Sequence, residues 1–309
     1  MFEPYYSQYV NHIEFSGAKL RTSPMYTDEA GNWHFDFEHF ERSLDQSTKL
    51  VLLTNPHNPS GKLWTKAEIE RMTKILDRHP QVRVISDDVY FFLPFDGRKY
   101  ESFANFSPSN FAKTLTVYSA GKMLNCTGWK VGWMLGPKDL VAQAMYVHEA
   151  STFNCNVPGQ LAVAQSMDQA FGEQYEGASN YFEYTRSTFQ ESRDLALDVL
   201  KRTTSFDFKP TQCESGYFMP VDVTGARDLI PERYFRANKN YEDDPATMVK
   251  QMQFIDGRVP LDFAFCRWLA VEKGVSLMPL SNFCLQESEH KVTSMARIAI
   301  CKTPETFKD

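Results

Sequence analysis

The sequence has no apolar run near the roughly 18 residues that a membrane-spanning helix needs, and no cluster of lysine and arginine. At a net charge of −6, a nucleic-acid partner is not expected. Its six cysteines, Cys126, Cys155, Cys213, Cys266, Cys284 and Cys301, form no Cys-x-x-Cys pair. That spacing excludes a disulfide scaffold and a zinc ribbon and points to reduced thiols. A His-Glu-x-x-His zinc motif is also absent, and no metal site is expected. Gly61-Lys62 and Gly121-Lys122 lack both the earlier glycine and the following Ser or Thr of a nucleotide phosphate loop. The first residues, Met-Phe-Glu-Pro-Tyr-Tyr, have neither the basic start nor the apolar core of a signal peptide. A cytoplasmic location follows, or a mitochondrial one if a targeting segment lies upstream. There is no internal repeat and no low-complexity tract.

What is present is an ordinary globular composition: 309 residues, 42% hydrophobic and 23% charged, enough for about two domains. Tyr5, Tyr6, Tyr9 and Val10 make an apolar start that needs a partner, and a loop-rich region follows. Asp36 to Leu44 reads as a short helix. Lys49 to Thr54 and Gln81 to Ser86 are continuous apolar runs that read as buried strands. Between them Thr65 and Glu68 form a capping box for a helix with Ile69, Met72, Ile75 and Leu76 on one face. Thr114 to Tyr118 and Lys130 to Met134 read as further strands. Strands alternating with helices predict an α/β fold with a mainly parallel, doubly wound sheet, its site outside the carboxyl ends of the strands.

Farther along, helices are expected over Pro137 to Ala150 and Pro158 to Phe171, and one long helix over Tyr175 to Arg202. A second unit then carries strand Gly216 to Val223, helix Leu261 to Glu272, and strands Val275 to Met278 and Met295 to Cys301. The polar stretch Thr224 to Arg258 reads as a mobile surface loop. The division is a large domain over 1–185 and the connecting helix plus a smaller α+β domain over 186–309.

Four strand ends converge on one chemistry. Asn55-Pro-His-Asn-Pro-Ser-Gly61 offers the amide of Asn58. Ser86-Asp-Asp-Val-Tyr90 offers Asp87 and Tyr90. Ser119-Ala-Gly-Lys122 offers a hydroxyl and an amine held between a strand end and a glycine-flanked turn, with Lys130 and Arg297 as further cations. An aldehyde cofactor with a pyridine ring and a phosphate would use all of them. The lysine would form the Schiff base, and a carboxylate would keep the ring nitrogen protonated. Taken singly, each motif is more often a turn, a helix cap or a surface ion pair. The ordered set is what raises the odds.

That set, with Thr127-Gly-Trp-Lys-Val-Gly-Trp133, Gly216-Tyr-Phe218, Lys273-Gly-Val-Ser-Leu-Met-Pro-Leu-Ser281 and Arg297-Ile-Ala-Ile-Cys-Lys302, resembles the fold-type I, class I/II pyridoxal-phosphate aminotransferases. It is most similar to their kynurenine/glutamine (cysteine-S-conjugate β-lyase) branch. The resemblance implies pyridoxal 5'-phosphate as cofactor, amino acid and 2-oxo acid substrates, and a homodimer. It makes Lys122 the Schiff-base lysine and proton shuttle, sets Asp87 against the pyridine nitrogen, and sets Tyr90 and Asn58 against the ring oxygen. Ser119 and Lys130 would hold phosphate, and Arg297 the substrate carboxylate. Tyr6 would stack on the ring, and Phe153 would face the substrate.

Members of that family carry roughly a hundred more residues before the Glu3-Pro-Tyr-Tyr6 segment, including a glycine-alanine phosphate loop, and a closing helix after the arginine strand. The resemblance therefore implies a chain cut at its N-terminus and near its C-terminus, with an incomplete phosphate cup. An alternative reading is a truncated, non-catalytic relic or interaction subunit of the same fold. A third keeps the cofactor and changes the reaction to lyase or cyclopropane-carboxylate synthase chemistry.

Overall fold

A computed structural model describes residues 1–236, 259–285 and 287–307. Its centre is a four-stranded sheet in the order β4-β5-β6-β7, with β4 Leu50–Thr54, β5 Arg83–Asp87, β6 Thr114–Ser119 and β7 Gly132–Leu135. The first three strands are parallel, pairing Thr54 with Asp87 and Asp87 with Val117. Side-by-side parallel strands end at one edge, so the residues at their carboxyl ends come together whatever their separation in sequence. β7 runs antiparallel to β6. The Lys122 segment that joins them holds one short helix and a 3₁₀ turn and makes no crossover.

The helix between β4 and β5 forms as its capping box dictates. α3 Lys66–Asp77 has Thr65 accepting from the Glu68 N–H and Glu68 returning the bond, and it buries Ile69, Met72, Ile75 and Leu76. α2 Phe37–Ser43 is capped by Asp36. The region read as loop holds two short strands, β2 Ser23–Thr27 and β3 Trp33–Phe35, paired with β1 Phe2–Glu3 in a second sheet. Prolines and isolated polar residues hide its period, but Met25, Trp33 and Phe35 are all buried in a core with Phe2 and Trp64. After β1 the apolar start becomes a helix, α1 Gln8–Phe15, which buries Tyr9.

The long connecting helix, α8 Tyr181–Arg202, starts six residues later than its apolar pattern suggests. Glu176 and Gly177 take positive φ in a turn, and Asn180 then caps the helix through the Glu183 N–H. Its buried residues Phe182, Thr185, Phe189, Arg193 and Ala196 form one stripe, as a helical period requires. The third sheet has the order β10-β11-β9-β8, with β8 Lys209–Pro210, β9 Phe218–Asp222, β10 Met278–Pro279 and β11 Met295–Ala299. It is backed by α9 Leu261–Lys273. Part of the stretch read as a polar loop is packed instead. Residues 224–235 form two 3₁₀ turns that bury Ala226, Tyr234 and Phe235, apolar anchors that the charged neighbours mask. The rest of that reading, residues 237–258, lies outside the described residues.

The candidate active site

Lys122 is carried by the short helix α5 Ala120–Met123, which starts where β6 stops. Gly121 is required there. A Cβ on it would lie 2.8 Å from the Thr127 Cα and 3.3 Å from the Ser119 Oγ, so only glycine lets the returning turn close on the lysine. The amine lies 5.8 Å from the ring centre of Tyr90 and 5.6 Å from that of Tyr217. Burial lowers its pKa; among its other influences, Asp87 opposes the shift and Arg297 adds to it.

On the neighbouring strand, Asp87 ends β5 and accepts a short hydrogen bond from the Tyr9 hydroxyl, which also lies 3.3 Å from the Thr54 Oγ1. Burial raises the Asp87 pKa, while the Tyr9 bond and the Lys122 charge pull it down. Tyr9 is held in place from across the molecule. The Tyr5 N–H donates to the Phe283 carbonyl at 2.7 Å, and the buried Glu3 carboxylate accepts from the Leu285 N–H and the Ser288 hydroxyl. Sequence reading missed Tyr9, although its spacing three residues after Tyr6 puts both on one side of a helical turn, rings 5.3 Å apart.

Tyr90 is buried, with its ring edge-on to Tyr217 at 4.9 Å. Asn58 is buried too, and its Oδ1 accepts from Arg297 Nη1 at 3.0 Å. The Arg297 guanidinium is sandwiched, 3.7 Å from the ring centre of Phe218 and 4.4 Å from that of Phe283. Its Nε is buried without a hydrogen-bond partner among the described residues, and burial lowers its pKa to about 10. A buried cation with an unmet donor is a site prepared for an anion.

The other expected residues sit around this cluster. Ser119 is the N-cap of α5. Lys130 is exposed in the left-handed conformation at φ 56°, on the far side of the same turn, and its charge reaches Lys122. Tyr6 is 39% exposed, with its ring edge-on to that of Tyr9. Phe153 stands apart. It is 87% exposed at the end of helix α6 Lys138–Thr152, with φ 61°. Among the described residues no ring contact joins it to the cluster.

The donor set matches what the aldehyde and pyridine parts of such a group and a carboxylate-bearing substrate require: an amine of lowered pKa, a carboxylate on the adjacent strand fixed by a tyrosine, an amide, and an arginine with an unmet N–H. The sequence profile of the family described as aminotransferase class I and II matches residues 1–308. Mouse kynurenine–oxoglutarate transaminase 1 is 29% identical over all of this chain and 68% of its own length. The crystal structure of Bna3p from Saccharomyces cerevisiae superposes with a TM-score of 0.81 at 29% identity, covering 99% of this chain and 68% of that one. N-succinyldiaminopimelate aminotransferase from Mycobacterium tuberculosis gives 0.79 at 25% identity, with the same two coverages. The chain spans 62% to 68% of the length of such relatives. It belongs to the class I and II aminotransferases, the pyridoxal-phosphate-dependent transaminases of fold type I.

Proposed function

We propose that this chain moves an amino group between an L-amino acid of kynurenine, glutamine or aromatic type and a 2-oxo acid, with pyridoxal 5'-phosphate bound through Lys122. The observation that carries this reading is the half-buried Lys122 amine set within the electrostatic influence of Asp87, at the end of the next strand, and of Arg297, whose Nε is unmet. The name of the mouse relative, kynurenine–oxoglutarate transaminase 1, supports kynurenine among the amino donors and oxoglutarate among the acceptors. The cofactor supplies an electron sink that makes the α-proton of a bound amino acid acidic.

The chain's own residues do the rest. Lys122 anchors the cofactor, then serves as the base that takes and returns the α-proton. Its lowered pKa enlarges the neutral fraction able to do so. Asp87 keeps the ring nitrogen protonated, and Tyr9 fixes the carboxylate. Asn58, its oxygen already engaged by Arg297, has its amide nitrogen to offer the ring oxygen, with the Tyr90 hydroxyl beside it. Ser119 and Lys130 hold the phosphate, and Arg297 grips the substrate carboxylate. Tyr6 covers the ring. Where the substrate carries a good β leaving group, the same proton removal leads to elimination, a β-lyase side activity. The non-catalytic reading finds no support in this arrangement.

The test is direct. Protein supplied with the cofactor should show visible absorbance, and borohydride should leave the cofactor on Lys122. The Lys122→Ala variant should lose both, and a variant that keeps them removes Lys122 from its role. Arg297→Ala should keep the colour while KM for the amino acid rises at least about tenfold, the worth of a charged hydrogen-bond pair. An unchanged KM rules out the carboxylate role.

We also infer a homodimer. α6 buries none of its residues, and Met145, Tyr146 and Val147 on it are exposed, as is Leu161 on the following helix. An apolar surface of that extent marks a contact with another copy. None of its six cysteines forms a disulfide, in accord with a reducing compartment, and we place the protein in the cytoplasm.

A further inference from the structure

We infer that Tyr217 is the positioning residue of Lys122: its hydroxyl, donated from the bend just before β9 of the third sheet, fixes the turn that aims the lysine. The inference rests on the role proposed for Lys122. α5 has four residues, so carbonyls near its end have no partner within the helix. The Leu124 N–H takes the Ala120 carbonyl. The carbonyl of Lys122 itself accepts from the Tyr217 hydroxyl at 2.5 Å. This bond spans 95 residues of sequence and holds the backbone of the reactive residue, one atom away from where its side chain begins.

Tyr217 is itself held on several sides. Its ring lies 4.9 Å from Tyr90 and 5.1 Å from Phe189 of α8, both edge-on. Its carbonyl accepts from the Ile300 N–H at 2.8 Å, next to the arginine strand. Gly216, at φ 81°, supplies the left-handed step before it. Burial pushes the phenol's pKa up, so it remains a protonated donor at any working pH. The ring of the same tyrosine faces the Lys122 amine. One side chain thus sets both the backbone and the surroundings of the lysine, and it ties the sheet that carries Arg297 to the turn that carries Lys122.

The experiment uses the full chain loaded with pyridoxal 5'-phosphate and compares wild type, Tyr217→Phe and Phe189→Leu. Removing the hydroxyl alone should leave borohydride trapping on Lys122 intact and KM within about twofold. It should lower kcat about tenfold and displace the pH midpoint of the visible band by about one unit, the worth of one hydrogen bond. Phe189→Leu removes ring support without touching the bond. It should lower the thermal midpoint and leave the pH midpoint in place. The proposal is overturned if Tyr217→Phe keeps the wild-type kcat and pH midpoint, or if Phe189→Leu moves the pH midpoint equally. A Tyr217→Phe chain that fails to fold also overturns it, by assigning Tyr217 to the core alone. Absence of trapping on Lys122 in the wild type would instead defeat the reading of the site on which it rests.

Discussion

At Asp87 the balance between burial and one hydrogen bond sets what the carboxylate can do. Burial favours its neutral form, and the Tyr9 hydroxyl is the largest of the influences opposing that. Tyr9→Phe should therefore raise the Asp87 pKa and weaken its hold on a ring cation. An increase of about tenfold in cofactor Kd, with kcat reduced, is the expected outcome, read by equilibrium titration of the visible band. Its neighbour Asp88 behaves differently. Fully buried, it accepts from Ser86 at 2.6 Å and from Tyr100, and burial raises its pKa to about 7. Its folded pKa lies above the unfolded value, so the folded state binds the extra proton and stability falls as pH rises from about 4 to about 7. His57, held neutral with its pKa lowered to about 3, acts with the opposite sign through much of the same range. A comparison of variants separates the two. The stability difference between Asp88→Asn and wild type should change across pH 4 to 7 and be flat above it; denaturant melts at several pH values check this.

Among the elements, α3 and α5 show how differently two helices depend on their surroundings. α3 carries its own instructions: a capping box, a one-sided apolar stripe and no glycine or proline inside. Thr65→Ala should cost about 1 kcal/mol, and Met72→Ala, which opens a hole in a fully buried position, about 2–5 kcal/mol, both measured as shifts in denaturation midpoint. α5 is too short to be stable by itself. It exists because β6 delivers it, Gly121 lets Thr127 close over it, and Tyr217 satisfies the Lys122 carbonyl. The same contrast explains what could be read beforehand. The strands β4, β5 and β6 were legible as apolar runs, and Lys122, Asp87, Asn58 and Arg297 were legible because strand-end residues of those types serve one chemistry. β2 and β3, the packed turns over 224–235, and the roles of Tyr9 and Tyr217 were not. Each depends on a partner far along the chain, which no local period records.

Over the whole molecule, one core joins the two halves. Tyr90, Phe92, Leu93 and Met123 pack with Phe182, Phe189, Tyr217, Met219 and Ile300. The division expected at residue 185 therefore falls inside α8, in the middle of a shared core. Arg193 of α8 crosses that boundary, donating to both Asp96 oxygens at 2.6 and 2.7 Å and to the Cys213 carbonyl at 3.1 Å. Its guanidinium is buried while Asp96 is half exposed. Arg193→Ala should lower stability by about 2 kcal/mol, less than a fully buried pair would lose; thermal melts give the value. The exposed apolar residues of α6 have their own test. Tyr146→Glu should turn a dimer into monomers in sedimentation equilibrium, and a wild type that is already monomeric would remove the homodimer inference.

The sequence by itself determined the class of fold and the kind of cofactor, and it singled out the lysine proposed to carry it. Those follow from local patterns and from residue types whose chemistry is the same wherever they stand. Only the tertiary structure decided which groups tune that lysine. Tyr9 reaches Asp87 across 78 residues, Asn58 meets Arg297 across 239, and Tyr217 meets the Lys122 carbonyl across 95. The reason is physical: parallel strands bring their ends to one edge, and burial then forces each polar group there to find a partner from whatever segment packs beside it.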